Sequence, residues 1–132
     1  MTAITGKKIL VVDDEPDVVA YVAGFLEDHG LAAIGAANGK EGFAKAKAEM
    51  PDLIILDISM PEESGVRMYR DLFEDPATKH IPVVMLTGVS HEFKRFIETR
   101  KQVPPPAGYF DKPADLNQVL GKIAQILSPQ LV

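Results

Sequence analysis

Leu53-Ile54-Ile55-Leu56-Asp57-Ile58-Ser59-Met60-Pro61 is an aliphatic run that delivers a carboxylate just where turn-forming residues take over. A stretch that is apolar at every position, rather than at every second one, needs burial on both faces. A central strand of a parallel sheet provides that environment. In open α/β sheets ligands sit outside the carboxyl ends of the strands, and Asp57 stands at such an end. One loop aspartate is weak evidence, so the weight falls on what else reaches the same edge.

Upstream, Lys7 to Val12 is a short β-branched run that ends in Asp13-Asp14-Glu15. Pro16 suits the first turn of a helix, where its missing N–H costs nothing. Val18, Val19, Val22, Phe25 and Leu26 follow at helical spacing, with His29-Gly30 as a stop. Leu31 to Ala36 is a second apolar run. Asn38 and Gly39 then open a helix through about Met50, with Phe43 and the alanines inward and Lys40, Lys45 and Lys47 outward. Pro51 breaks it, and Asp52 leads into the central strand.

Downstream, the loop Ile58 to Gly65 precedes a helix whose inner face carries Val66, Tyr69, Leu72 and Phe73, ended by Asp75-Pro76. Ile81 to Leu86 is the fourth strand, with its proline near the start, and Thr87-Gly88 follows it. A helix is expected over about Ser90 to Lys101, with Phe93, Phe96 and Ile97 apolar and Lys94, Arg95, Arg100 and Lys101 basic. Lys101 to Pro106 is a stiff extended connection. Tyr109-Phe110 forms a short fifth strand closed by Asp111-Lys112-Pro113. Leu116, Val119, Leu120, Ile123, Ile126 and Leu127 mark a final helix. Five strands alternating with five helices predict an α/β fold, a five-stranded parallel doubly wound sheet of (βα)5 form in three α/β/α layers. One domain over 1–132 is expected, with its core at about 7–127 and no repeat or linker.

Composition narrows the function. The 132 residues are 46% hydrophobic and 25% charged, ordinary for a soluble protein. No stretch approaches the roughly 18 to 20 apolar residues of a membrane span. The start of the chain lacks signal-peptide features, so a cytoplasmic location is expected. The absence of cysteine removes disulfides, thiolate catalysis and zinc ribbons. A net charge of −5 argues against a nucleic-acid-binding body and is compatible with a cation-binding pocket.

The strand pattern sends Asp13, Asp14, Asp57, Thr87 and Lys112 to one edge. Three carboxylates that close together raise one another's pKa and call for a cation. Oxygen ligands without His or Cys suit a hard, hydrated ion, Mg²⁺ first, with Mn²⁺ as the other ion this set accepts. A compact ammonium at Lys112 and a hydroxyl at Thr87 complete the groups needed to hold a phosphoryl group in transfer. Asp57 is then the nucleophile, giving an acyl phosphate.

The chain resembles the receiver domain of two-component response regulators, the CheY-like superfamily with a flavodoxin-like sheet. The matching elements are Ile9 to Glu15, Leu56-Asp57 with Met60-Pro61 and Gly65, Leu86-Thr87-Gly88, and Tyr109 to Pro113. The resemblance implies that Asp57 accepts a phosphoryl group from a sensor histidine kinase or a histidine phosphotransfer protein. It further implies that Mg²⁺ is held by Asp14, Asp57 and the carbonyl of Ser59, with Asp13 acting largely through water. By the same resemblance Lys112 contacts the phosphoryl group and Thr87 swings in to bond it. Tyr109 would be the switch aromatic that alters the face made by the 90–101 helix, the fifth strand and the closing helix. Such a module controls a downstream protein, is not a turnover enzyme although it catalyses its own phosphorylation and dephosphorylation, and exists as a monomer or a phosphorylation-dependent dimer. Direct binding to nucleic acid or membrane is not expected.

Two departures stand out. Ser59 and Val89 occupy positions that in the family tune autodephosphorylation, and the segment from Thr87 to Lys112 is about three residues longer than is usual there, with Pro104-Pro105-Pro106 near its end. Bland readings also exist: Asp13-Asp14 as a helix N-cap pair, Thr87 and Lys112 as ordinary strand-end residues, Tyr109 as a half-buried aromatic, the basic stripe as a solvated face. His29, His80 and His91 have no ligand spacing and default to the surface. Among rival functions, an aspartate-nucleophile phosphohydrolase would carry a second aspartate at the position of Ser59. A flavin binder would need a phosphate loop where Asp13-Asp14-Glu15 repels one. A phosphorylation-independent interaction module keeps the fold and drops the chemistry.

Overall fold

The aliphatic runs become the strands β1 (Lys8–Val12), β2 (Ala32–Ala36), β3 (Leu53–Asp57), β4 (Val83–Thr87) and β5 (Gly108–Asp111). This computed structural model describes residues 4–58, 60, 64–87 and 105–128, with Thr87 described in its backbone alone. The five strands form one sheet in the order β2-β1-β3-β4-β5, and every pair is parallel. The helices are α1 (Pro16–Asp28), α2 (Gly39–Glu49), α3 (Ser64–Glu74) and a closing helix (Leu116–Leu127). Among the described residues the expected doubly wound sheet is therefore present with four helices. The helix expected over 90–101 lies outside them, as do Gly88, Val89, His91 and Pro104.

Burial on both faces of β3 follows from the pleat. Ile54 and Leu56 join Leu10, Val12, Met85, Met68 and Leu72 on the side of α2 and α3. Leu53 and Ile55 join Ile9, Val11, Leu26 and Ile123 on the side of α1 and the closing helix. Each such side chain removed from water stabilises the fold by about 1.5–3 kcal/mol, so these two cores clamp the sheet from both faces.

The ends of the elements follow local chemistry. Pro16 is in the first turn of α1, and His29 caps its other end. Asn38 accepts the Glu41 N–H at 2.8 Å, while Glu41 Oε1 reaches back to the Ala37 N–H at 2.7 Å, which holds the start of α2 from both sides. Pro82 delays β4, which begins at Val83 rather than Ile81. The expectation for α2 needs correction: Ala44 and Ala48 are exposed, and the buried positions are Gly39, Gly42 and Ala46 with Phe43 half-buried. Alanine is nearly indifferent to burial, so its spacing misreads the face. Here Gly42 faces inward because Met68 of α3 fills the space a Cβ would need.

One glycine bears directly on the functional edge. A Cβ on Gly65 would overlap the backbone carbonyl of Asp57 and come within 2.7 Å of the Ile58 Cα. The first turn of α3 thus rests against the backbone at the end of β3, where only glycine fits.

Candidate functional site

Parallel register assembles the site. Val12 pairs with Leu56 at the end of the β1–β3 ladder, so Asp13 leaves β1 beside Asp57. Asp57 in turn pairs with Leu86, and Thr87 pairs with Asp111, which brings β4 and β5 to the same edge one residue further on. Lys112 follows β5 directly, is joined to Pro113 by a cis peptide bond, and reaches back over the end of β4. Its Nζ donates to Asp13 Oδ2 at 2.8 Å and to Asp57 Oδ2 at 3.2 Å.

Both acids are nearly sealed from water, Asp13 at 2% exposure and Asp57 at 3%. Asp14 is exposed, yet carboxylate oxygens of Asp13, Asp14 and Asp57 all lie within 4.8 Å of one another. Burial pushes the Asp13 carboxyl above its ordinary value and the Asp57 charge adds to this. The hydrogen bonds from Lys112 and from the Glu15 N–H, the latter at 3.0 Å to Oδ1, pull the other way without cancelling it. Burial also works against the Lys112 ammonium, but the Asp13 hydrogen bond and the charges of Asp57 and Asp13 outweigh it and hold the lysine above its usual value. Among the described residues the Lys112 ammonium bridges two of the three carboxylates, Asp13 and Asp57. An all-oxygen donor set this compact fits a hard divalent cation.

The helix-cap reading of Asp13-Asp14 fails on position. Glu15 occupies the N-cap of α1 and makes no side-chain cap, and Asp13 spends its oxygens on Lys112 and the Glu15 N–H.

A family model for the response regulator receiver domain matches residues 9–124. The chain belongs to this family. The receiver is 34% identical over 121 residues to the protein PilH of Pseudomonas aeruginosa, covering 92% of this chain and 98% of that protein. At the same identity it matches the Bacillus subtilis alkaline phosphatase synthesis transcriptional regulatory protein PhoP, over 92% of this chain and 48% of the relative. Among solved structures it is similar to the Vibrio cholerae chemotaxis protein CheY4, with a TM-score of 0.80 at 31% identity over 93% of this chain and 100% of that one. Receiver domains bind Mg²⁺ at an acidic pocket, interact with histidine kinases or phosphotransfer proteins and with downstream effectors, and are generally not turnover enzymes. Among the described residues no helix is long and apolar enough to cross a membrane.

Of the residues singled out in the receiver's sequence, Asp13, Asp14, Asp57 and Lys112 come together. Thr87 ends β4 at the same edge, and its side chain lies outside the described residues, as does Ser59. Tyr109 is half-buried against the α2–α3 core, and its hydroxyl donates to Asp111 Oδ1 at 2.7 Å. His29 and His80 are exposed, in keeping with surface histidines.

Two features escaped the reading of the sequence. Asp111 was only the residue before the lysine, though an acid two places from a strand tyrosine was the available signal. A groove of about 560 Å³ runs between α2 and α3, lined by Asp14, Lys40, Phe43, Met60 and Arg67 among others. It depends on how two helices pack, which no local motif encodes.

Proposed function

We propose that this receiver accepts a phosphoryl group on Asp57 from a phosphohistidine of a sensor kinase or phosphotransfer protein, and that the adduct shifts the chain between two arrangements read by a downstream protein. The observation that carries the reading is the Lys112 ammonium bridging Asp13 and Asp57, with carboxylate oxygens of Asp13, Asp14 and Asp57 all within 4.8 Å of one another.

In the transfer a carboxylate oxygen of Asp57 attacks phosphorus, the P–O bond forms as the P–N bond to the donor imidazole breaks, and the imidazole leaves with its electron pair and takes up a proton. Lys112, already on the Asp57 oxygen, moves onto the arriving phosphoryl oxygens as negative charge builds there. Thr87 supplies a hydroxyl to the same group. Asp14, Asp57 and the main-chain carbonyl of Ser59 would hold Mg²⁺, with Asp13 acting through water. When bound, the ion supplies the positive charge that lets an anionic donor approach three acids and that offsets the charge of the phosphoryl oxygens. Hydrolysis by water at phosphorus returns Asp57 and inorganic phosphate, so the chain resets without turning over a substrate.

Tyr109 is the aromatic whose rearrangement carries the change to the outer surface, alongside Thr87. The 132 residues act as one receiver unit in the cytoplasm, monomeric or dimerising on phosphorylation.

The test is intact mass after incubation with acetyl phosphate, with and without Mg²⁺, on the wild type and on Asp57→Asn. A Mg²⁺-dependent single-phosphate adduct, absent in the variant, is expected. No adduct together with no beryllofluoride complex, where a control receiver forms both, overturns the reading in favour of a phosphorylation-independent interaction module.

A further inference from the structure

Tyr109 and Asp111 stand two apart on β5, so their side chains share one face of the strand. The tyrosine hydroxyl donates to Asp111 Oδ1 at 2.7 Å, a short bond to a carboxylate of the kind that is stronger than a neutral one. Asp111 sits between two parts of the acceptor site. It is the register partner of Thr87 across the β4–β5 ladder and the chain neighbour of Lys112, whose ammonium bridges Asp13 and Asp57. The ring itself rests on the core beside α2 and α3 and is half-buried.

We propose that Asp111 is a positioning residue for Tyr109: its carboxylate latches the hydroxyl along β5 and favours the arrangement seen here until the acceptor site is modified. The inference rests on the acceptor reading for its link to Asp57, while the latch itself is a property of the unmodified chain. Movement of Lys112 onto a new anion, or of Thr87 toward it, displaces the backbone on either side of Asp111 and loosens the bond to Tyr109. By linkage, a latch that favours the unmodified arrangement lowers affinity for whatever favours the other one. Removing it raises that affinity by about fivefold, the size expected of a net charge-assisted bond discounted for its exposure.

The experiment uses the full chain carrying 3-fluorotyrosine, whose ¹⁹F resonances from Tyr21, Tyr69 and Tyr109 are assigned by substitution of Tyr109. Asp111→Ala is expected to move the Tyr109 resonance and leave the other two in place, and Asp111→Asn, which keeps an acceptor oxygen, to restore most of the shift. Beryllofluoride affinity in Mg²⁺ is expected to rise about fivefold in Asp111→Ala and not at all when the same change is made in Tyr109→Phe. A Tyr109 resonance that stays put, or an equal affinity change in both backgrounds, overturns the latch. If the wild type binds no beryllofluoride the acceptor reading fails instead, and the resonance decides the latch alone.

Discussion

The two ends of β3 each carry an aspartate near the sheet edge, and they are treated oppositely. Asp52, just before the strand, accepts the Lys8 N–H at 2.8 Å while its own N–H donates to the Lys8 carbonyl at 2.8 Å, a closed two-way link between the starts of β1 and β3. Asp57, at the other end, is sealed beside two further carboxylates and accepts from the Lys112 ammonium. One end satisfies its acid with backbone and holds the sheet together. The other gathers an all-oxygen donor set that fits a cation. Stability and chemistry are thus divided along a single five-residue strand.

The largest expected effect comes from crowding the chemical end. Gly65→Ala drives a methyl into the Asp57 carbonyl and the Ile58 backbone, neither of which can give way as a side-chain tip would. Denaturant unfolding should show a loss of about 2–3 kcal/mol, and Mg²⁺ affinity should fall with it because the end of β3 must move. Unchanged metal affinity would show that α3 and the strand end are less tightly joined than this packing implies.

A smaller loss is expected at the structural end. Asp52→Ala leaves the Lys8 N–H without its partner and should cost about 1–2 kcal/mol, with no change in Mg²⁺ affinity or in the yield of the Asp57 adduct. Melting curves and metal titration on one sample check both halves, and a change in metal affinity would dissolve the contrast between the two ends.

The smallest effect is in pH. The folded Asp13 carboxyl lies above the 3.8 of an unfolded aspartate, so its carboxylate form destabilises the fold at neutral pH, and that penalty lifts as pH falls through the folded value. The melting temperature of wild type relative to Asp13→Asn should therefore rise on acidification across that window. Mg²⁺ should flatten the difference by stabilising the charged form. A difference independent of pH would mean that Lys112 and the Glu15 N–H fully offset burial.

Much of this was legible along the chain. Asp13 follows and Asp57 ends an aliphatic run, Lys112 follows the short aromatic strand Tyr109-Phe110 after one residue, and a parallel α/β sheet sends all its carboxyl ends to one edge, so their convergence follows from alternation of strands and helices. The ends of α1 and α2 were equally readable, because Pro16, His29 and Asn38 act on groups a few residues away. The inward face of α2 was not, since alanine spacing carries little burial signal and Gly39 and Gly42 meet Ser64 and Met68 only after α3 has docked. Of the Tyr109–Asp111 bond only the spacing of two was legible, since the bond itself depends on a rotamer, and the Asp52–Lys8 link was invisible because it joins residues far apart in sequence.

The sequence by itself determined the kind of fold, the edge at which chemistry is placed and the residue types gathered there, because strand periodicity, helix stops and strand-end residues are local properties of the chain. Only the tertiary structure decided that β1 lies between β2 and β3, that Asp13 therefore stands beside Asp57, and that Lys112 reaches across β4 to join them. Strand order and register come from packing two cores against one sheet, a choice made by contacts between residues tens of positions apart.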